Sequence, residues 1–148
     1  MIHQVESFTS LLDRAIMTTE LYLLACTLVL AIVQIMLASI LRTRETGGAY
    51  NTGPRDDGGP PVGKLTGRMQ RAQKNLYETL PLFMGAVLIV AIAGRESALS
   101  FYGAWIYFPA RIAYVPLYAA GVPVLRTLTW LISLIGMLMV LAAALLPF

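Results

Sequence analysis

The chain has 148 residues, of which 57% are hydrophobic and only 13% are charged, and its mean hydropathy is +0.70. Because soluble domains carry about 25% charged residues, this composition excludes an ordinary soluble domain and favours a single membrane-embedded unit, residues 1–148. One cysteine and one histidine leave no pattern for an intrachain disulfide or a metal site, so no metal is predicted. The formal net charge of +3 is unevenly distributed along the chain.

Four apolar segments are each long enough to cross about 30 Å of hydrocarbon as an α-helix. They cover approximately residues 19–41, 75–93, 99–120 and 125–146. The residues before the first segment carry Glu6 and Asp13 and lack a basic start, which predicts a polar lead-in rather than a secretory signal. The predicted fold class is therefore all-α and integral to the membrane, a bundle of four transmembrane helices.

The segment between the first two spans, residues 42–67, is rich in glycine and proline, which is typical of an irregular surface loop. Seven basic residues gather in and just after this loop: Arg42, Arg44, Arg55, Lys64, Arg68, Arg71 and Lys74. Arg126 lies on the same side, whereas the opposite side offers only Arg14 and Arg95. The positive-inside rule therefore predicts a cytosolic loop with both termini outside. A basic loop can bind nucleic acid, but its acidic residues favour topology alone, so no nucleic-acid partner is predicted.

The second span begins with a polar cluster. Arg71, Asn75 and Glu78 are spaced i, i+4, i+7, so all three project from one helix face. A helix of roughly 20 residues that ends at Ala93 starts near Asn75 and carries Glu78 into the membrane. A carboxylate there costs about 2.5–3.5 kcal/mol unless it has a partner or faces a wet cavity. Glu78 is therefore a candidate functional residue.

The third span contains Arg111 near its middle, with Tyr114 and Tyr118 on the same face at i+3 and i+7. An unpaired guanidinium at that depth is costly, which predicts an ion pair between Glu78 and Arg111 that joins the second and third helices. Two interpretations of this pair stay open. It is either a structural clamp or part of a ligand site.

The cytosolic ends of the spans collect polar residues that together predict a cavity. Arg71, Asn75, Tyr118 and Arg126 are expected there, and such a set suits carboxylates and the stabilisation of a thiolate. Taken singly, tyrosines at helical spacing are more often packing or interface residues, and Arg126 has an alternative interpretation as a cytosolic anchor. Trp130 is either an interface anchor or a wall of a lipid-facing groove. However, an arginine at a helix start opposes the helix dipole, which favours a functional role for Arg126.

These motifs resemble one known family. The residues that carry the resemblance are Arg71-Ala72-Gln73, Asn75, Glu78 and Pro81-Leu82-Phe83, followed by Arg111, Tyr114, Tyr118 and Arg126. In order and spacing they are similar to the MAPEG family (membrane-associated proteins in eicosanoid and glutathione metabolism), and especially to its leukotriene C synthases and microsomal glutathione transferases. The resemblance implies a protomer of four transmembrane helices that assembles as a homotrimer, with glutathione bound between neighbouring protomers near the cytosol.

The resemblance also implies roles for individual residues. Arg126 is expected to stabilise the glutathione thiolate and is the predicted catalytic residue, and Arg111 is expected to be structural. The implied glutathione-binding residues are Arg71, Gln73, Asn75, Glu78, Tyr114, Tyr118 and Arg126. An arginine of the first helix corresponds to Arg42 or Arg44, and the motif does not choose between them.

Some positions differ from the prostaglandin E synthase branch, which has His where this chain has Tyr114 and Ser where it has Thr127. The turn before Arg126 is also one residue shorter, and the long loop differs from that of compact eukaryotic synthases. These differences argue against assigning a particular eicosanoid reaction. A bacterial inner membrane suits the chain as its location.

The sequence favours two functions. The first is a glutathione-dependent transferase or peroxidase whose thiolate attacks a lipophilic electrophile from the bilayer, with glutathione as co-substrate and no metal. The second is a non-catalytic lipid-binding or scaffold protein of the same fold. A transporter or channel subunit is disfavoured because the polar residues gather toward one side of the membrane.

Overall fold

A computed structural model describes residues 17–146 of the chain. The predicted polar lead-in lies outside the described residues. Four long helices and one short helix make up the described part, which contains no β-strand. In chain order they are α1 (Thr19–Thr46), α2 (Gly48–Thr52), α3 (Lys64–Ala93), α4 (Ala98–Ala120) and α5 (Pro123–Leu145).

Local sequence explains where these helices begin and end. Thr18 caps α1 with its hydroxyl, and Ser97 and Ser100 form a reciprocal capping box at the start of α4. Gly94 and Gly121 follow the ends of α3 and α4 in the left-handed conformation, with φ of +62° and +77°. Glycine adopts this conformation without a steric penalty, so the chain reverses sharply at both positions.

The loop between the first two long helices contains more helix than predicted. α1 continues to Thr46, beyond the expected end near residue 41, α2 forms within the loop, and α3 already begins at Lys64. Glu45 accounts for the early start of α3, because its carboxylate accepts hydrogen bonds from the Gly63 amide and the Thr66 hydroxyl, both at 2.6 Å. The free N–H groups and the dipole at a helix N-terminus favour such an anion.

Three of the four long helices, α1, α3 and α5, are long and apolar enough to cross a membrane. α4 has the same length as α5 but is not among them. Its tyrosines, its two internal prolines and Arg111 leave it without a stretch as apolar as those in the other three long helices. The prediction of four membrane spans is thus supported for three helices, and for α4 it stays a prediction.

α4 and α5 share the most extensive helix contact, and two glycines lie within it. A Cβ atom built on Gly136 would lie 2.6 Å from both the Gly103 carbonyl oxygen and the Tyr107 backbone nitrogen. A Cβ on Gly103 would lie 2.8 Å from the Gly136 carbonyl oxygen. The two backbones therefore touch, as small residues permit between membrane helices. We call Gly103 and Gly136 the glycine seam.

Two arginines tie helix ends together at opposite ends of the molecule. Arg68 of α3 donates to the carbonyl oxygen of Ala119 near the end of α4, at 3.0 Å. Arg95 donates to the carbonyl oxygen of Ala144 near the end of α5, at 2.6 Å. In each case a guanidinium meets the negative end of a helix, which is electrostatically favourable. The end of the molecule that holds the loop, the start of α3 and the turn between α4 and α5 is called the loop end below.

Candidate functional site

A polar cavity of about 210 Å³ opens near the loop end, lined by residues of α3, α4 and α5. Its lining residues are Asn75, Tyr114, Tyr118, Arg126, Thr127 and Trp130. The structure thus brings together four of the site residues predicted from the sequence, from three different helices. None of the lining residues carries a carboxylate, so the cavity has a positive charge and several hydrogen-bond donors.

The turn between α4 and α5 positions Arg126. The Gly121 amide donates to the carbonyl oxygens of Leu117 and Tyr118, which closes α4, and Pro123 begins α5 two residues later. This tight reversal returns Arg126 to α4, where its guanidinium carbon lies 4.7 Å from the centroid of the Tyr118 ring. Such a cation–π contact holds the guanidinium in place without neutralising its charge.

The two tyrosines of α4 form one wall of the cavity. Their rings meet edge to face, with centroids 5.4 Å apart and an interplanar angle of 67°. Tyr114 is buried and Tyr118 is half-buried. Both tyrosines line the cavity, so the face predicted from their spacing is also the face that the structure turns toward Arg126.

The predicted ion pair between Glu78 and Arg111 is wrong for the described chain. Arg111 is only 2% exposed, and it donates to the side-chain oxygen of Asn75 at 2.8 Å and to the Thr79 hydroxyl. Glu78 is exposed. The physical reason is helix rotation, because neighbouring positions on a helix point about 100° apart. Asn75 and Thr79, four residues apart, contact Arg111 of α4, whereas Glu78, about 100° around the helix from Thr79, is exposed.

The buried guanidinium of Arg111 also packs on aromatic rings. Its carbon lies 5.4 Å from the centroid of Tyr107 and 5.7 Å from that of Tyr114, and Tyr107 in turn stacks on Phe83 at 3.8 Å. Two neutral oxygen acceptors and two aromatic faces therefore replace the expected carboxylate. One nitrogen, Nε of Arg111, lacks a partner among the described residues.

Arg111 also fixes the orientation of Asn75. Since the Asn75 oxygen accepts from Arg111, its NH₂ group is left to donate, and Asn75 lines the cavity. Arg111 itself is not among the lining residues. Within the described chain, Arg111 therefore contacts two residues of the cavity wall, Asn75 and Tyr114, without lining the cavity itself.

Two cavity residues, Thr127 and Trp130, were not predicted as site residues. The Thr127 hydroxyl donates to the Pro123 carbonyl at 2.9 Å, and the buried indole nitrogen of Trp130 has no partner within residues 17–146. An unpaired buried donor beside a polar cavity is available to a ligand. Trp130 lies four residues after Arg126, one helical turn away, and that spacing was the signal that could have indicated it.

The remaining predicted residues lie outside this cavity. On α3, Arg71 and Glu78 are exposed and Gln73 is half-buried. On α1, the guanidinium carbon of Arg42 lies 6.0 Å from the Tyr50 ring centroid, and Arg44 lines an apolar groove instead. Within one chain, therefore, the polar cavity contains Asn75 from the α3 motif and neither of the two α1 arginines.

The fold and the cavity define an all-helical protein with membrane-spanning helices and a cationic, donor-rich cavity at one end. Comparison with known protein families matches residues 21–146 to the MAPEG family. The match covers nearly the whole chain, so this protein belongs to the MAPEG family, which includes glutathione-dependent transferases and related proteins. It is an integral membrane protein. A search of curated proteins gives no match.

Proposed function

We propose that the protein is a membrane-bound glutathione-dependent transferase or peroxidase that acts on a lipophilic electrophile. The observation that carries the proposal is the positive charge of the cavity wall, together with its hydrogen-bond donors. Arg126 supplies a positive charge that no lining carboxylate neutralises, and the Asn75 amide and Trp130 indole supply donors. Glutathione carries carboxylates and a thiol, and its thiolate form is the one that a guanidinium favours.

Arg126 acts as the thiolate-stabilising residue. A guanidinium beside the bound thiol lowers the thiol pKa, so the proton leaves to water and the nucleophilic thiolate is present at neutral pH. With an aryl halide, a sulfur–carbon bond forms and the halide leaves. With a lipid hydroperoxide, sulfur attacks the terminal oxygen, the O–O bond breaks and the lipid alcohol leaves. A second glutathione then reduces the sulfenic acid to give the disulfide and water.

An apolar groove beside the cavity supports a lipophilic second substrate. Pro123, Val124, Thr127 and Leu128 line an open groove of about 310 Å³ on α5. Thr127 belongs to both linings, so the groove adjoins the polar cavity. An electrophile that enters from the bilayer can rest its apolar part there while its reactive carbon or oxygen approaches the thiolate.

The size of the polar cavity supports an assembly of several protomers. Its volume of about 210 Å³ falls below the roughly 300–1,000 Å³ of typical ligand sites. The exposed residues Arg71 and Glu78 and the half-buried Gln73 lie elsewhere on α3. The proposal therefore includes a homotrimer in which a neighbouring protomer completes the site. It also includes four membrane-crossing helices, a cytosolic loop end and a bacterial inner membrane as the location.

The deciding experiment compares Arg126→Leu with the wild type in detergent. The assay measures glutathione conjugation to a generic aryl halide, together with the ultraviolet absorbance of the bound thiolate. Loss of one to two pKa units of stabilisation, at about 1.36 kcal/mol each, lowers turnover at neutral pH by roughly 10- to 100-fold. The loss shrinks at alkaline pH, where the thiol ionises without help.

Arg55→Gln is the matched control, because Arg55 lies in the exposed loop and outside the cavity lining. It is expected to keep wild-type turnover and thiolate absorbance. Wild-type turnover in Arg126→Leu at neutral pH would show that the thiolate role is wrong. A wild-type protein with neither turnover nor thiolate absorbance would instead favour the non-catalytic lipid-binding or scaffold protein.

A further inference from the structure

A second and larger concavity lies near the loop end, on a different side of α4. α1, α3 and α4 surround an open groove of about 510 Å³, which shares no residue with the polar cavity. Its walls are almost entirely apolar and include Leu37, Leu41, Leu65, Met69, Val115 and Ala119. The one charged residue in the lining is Arg44.

The groove has an apolar interior and a cationic rim. Leu37, Leu41 and Arg44 are spaced i, i+4, i+7 on α1, so they follow one helix face over about 10 Å. Leu37 and Leu41 belong to the apolar stretch of the helix, and Arg44 lies beyond its end. Its side chain is exposed and has no hydrogen-bond partner among the described residues.

The groove exists because the α4 residues that line it are small. Pro116 and Ala119 on this wall have short side chains without a polar group. Arg68 fixes this wall relative to α3, because it donates to the Ala119 carbonyl. Glu45 of α1 accepts two hydrogen bonds at the start of α3, so all three helices that surround the groove are tied together.

We propose that this groove binds an acyl chain of an anionic phospholipid, with the headgroup phosphate on Arg44. Charge complementarity selects this occupant. The apolar walls match a hydrocarbon chain, and a guanidinium at the rim matches a phosphate, with which it forms paired hydrogen bonds. The other basic residues of the loop end attract anionic lipids to the same surface. The proposal is independent of the reaction at Arg126.

The test uses delipidated full-length protein and native mass spectrometry after addition of phosphatidylglycerol or phosphatidylcholine. The wild type is expected to retain phosphatidylglycerol preferentially. Ala119→Phe fills the groove and is expected to lower this retention about tenfold. Arg44→Gln is expected to lower it about fivefold, the contribution of one basic residue near a lipid surface, and to remove most of the preference over phosphatidylcholine.

Matched controls separate the groove from general effects of size and charge. Ala120→Phe adds the same ring to an exposed neighbour, and Lys64→Gln removes a charge near the same end, yet neither residue lines the groove. Ala120→Phe is expected to retain lipid like the wild type. Lys64→Gln is expected to lower phosphatidylglycerol retention less than Arg44→Gln, because Lys64 contributes only to the general attraction of the surface. Equal retention of the two lipids by the wild type would overturn the proposal, as would equal losses in Ala119→Phe and Ala120→Phe.

A photoreactive phosphatidylglycerol with a diazirine on its acyl chain tests the same site without any substitution. Crosslinks are expected on peptides that contain Leu37, Met69 or Val115. Crosslinks confined to α5 would contradict the proposal. A change in the number of protomers in Ala119→Phe, without loss of lipid, would show that the groove is a contact between copies of the chain and would overturn the proposal too.

Discussion

α4 and α5 meet in two different ways along their common length. Toward the opposite end from the loop, Gly103 and Gly136 bring the two backbones into direct contact. Near the loop end, Tyr118 and Arg126 occupy the same interface and leave a cavity between the helices. The same pair of helices is therefore closed over one part of its length and open over another.

The difference shows how a membrane protein can hold a polar cavity without weakening its fold. The glycine seam gives close backbone packing where the surroundings are apolar, and small residues are what permits it. Near the loop end, large aromatic and cationic side chains lie between the two helices, and the Gly121 turn limits how far the helices separate. Substitutions at each part should therefore have different consequences.

The largest expected effect comes from adding a methyl group inside the glycine seam, where it would force the two helices apart. Gly136→Ala would place Cβ 2.6 Å from backbone atoms of Gly103 and Tyr107, which cannot rotate away. We expect a loss of about 3 kcal/mol in stability, the upper part of the range for overpacked cores. Gly85→Ala is the control, since nothing lies within 4 Å of its added Cβ. Thermal denaturation in detergent should show Gly85→Ala neutral or slightly stabilised. Similar melting of the two variants would show that the seam tolerates separation.

The next largest effect concerns the hydrogen-bond partners of Arg111 on α3, which lie next to the cavity. Thr79→Val removes one acceptor from a buried guanidinium, and hydrogen bonds to charged groups contribute about 1.5–3 kcal/mol. We expect a loss of about 2 kcal/mol for Thr79→Val but only about 0.5 kcal/mol for Glu78→Gln, which changes an exposed side chain. Denaturant titration measures both. A larger loss in Glu78→Gln would restore the ion pair that the sequence predicted.

A smaller difference in stability, between two glycine variants, is expected at the turn between α4 and α5. Gly121→Ala strains a left-handed residue by about 1–2 kcal/mol, and its Cβ would also collide with the Arg68 guanidinium. Gly94→Ala carries the same backbone strain but meets nothing within 4 Å. Gly121→Ala should therefore be less stable than Gly94→Ala by about 1 kcal/mol, the value of a lost hydrogen bond between Arg68 and Ala119. Equal stabilities would mean that Arg68 moves aside at no cost.

The smallest expected effect lies within the cavity and rests on the proposed function. Tyr118→Leu removes the ring below Arg126, whereas Tyr118→Phe retains a ring. A cation–π contact of about 0.5–1 kcal/mol corresponds to a further two- to fivefold fall in turnover of Tyr118→Leu relative to Tyr118→Phe. Steady-state conjugation rates measure the difference, with thermal denaturation as a check on folding. Equal rates would show that Arg126 is held by other contacts.

Much of the fold was predictable because it depends on local chemistry. The apolar segments predicted the approximate positions of the four long helices, and the structure has glycine or proline at the breaks between the last three, Gly94, Gly121 and Pro123. The family was predictable too, because the motif from Arg71 to Phe83 and the later arginine and tyrosines have fixed spacings, and the family match confirms it. The loop was harder, since Glu45 caps α3 from another helix.

The sequence by itself determined which side chains share a helix face, because the helical repeat is fixed. Thus Tyr114 and Tyr118 line one wall together as their spacing predicts. Only the tertiary structure decided which faces meet, because the local pattern does not set the orientation of each helix about its own axis, and a shift by one position turns every side chain by about 100°. The observed orientation of α3 gives Arg111 the oxygens of Asn75 and Thr79 instead of Glu78. It also brought Gly103 against Gly136, a contact between residues 33 positions apart (136 − 103) that no local pattern specifies.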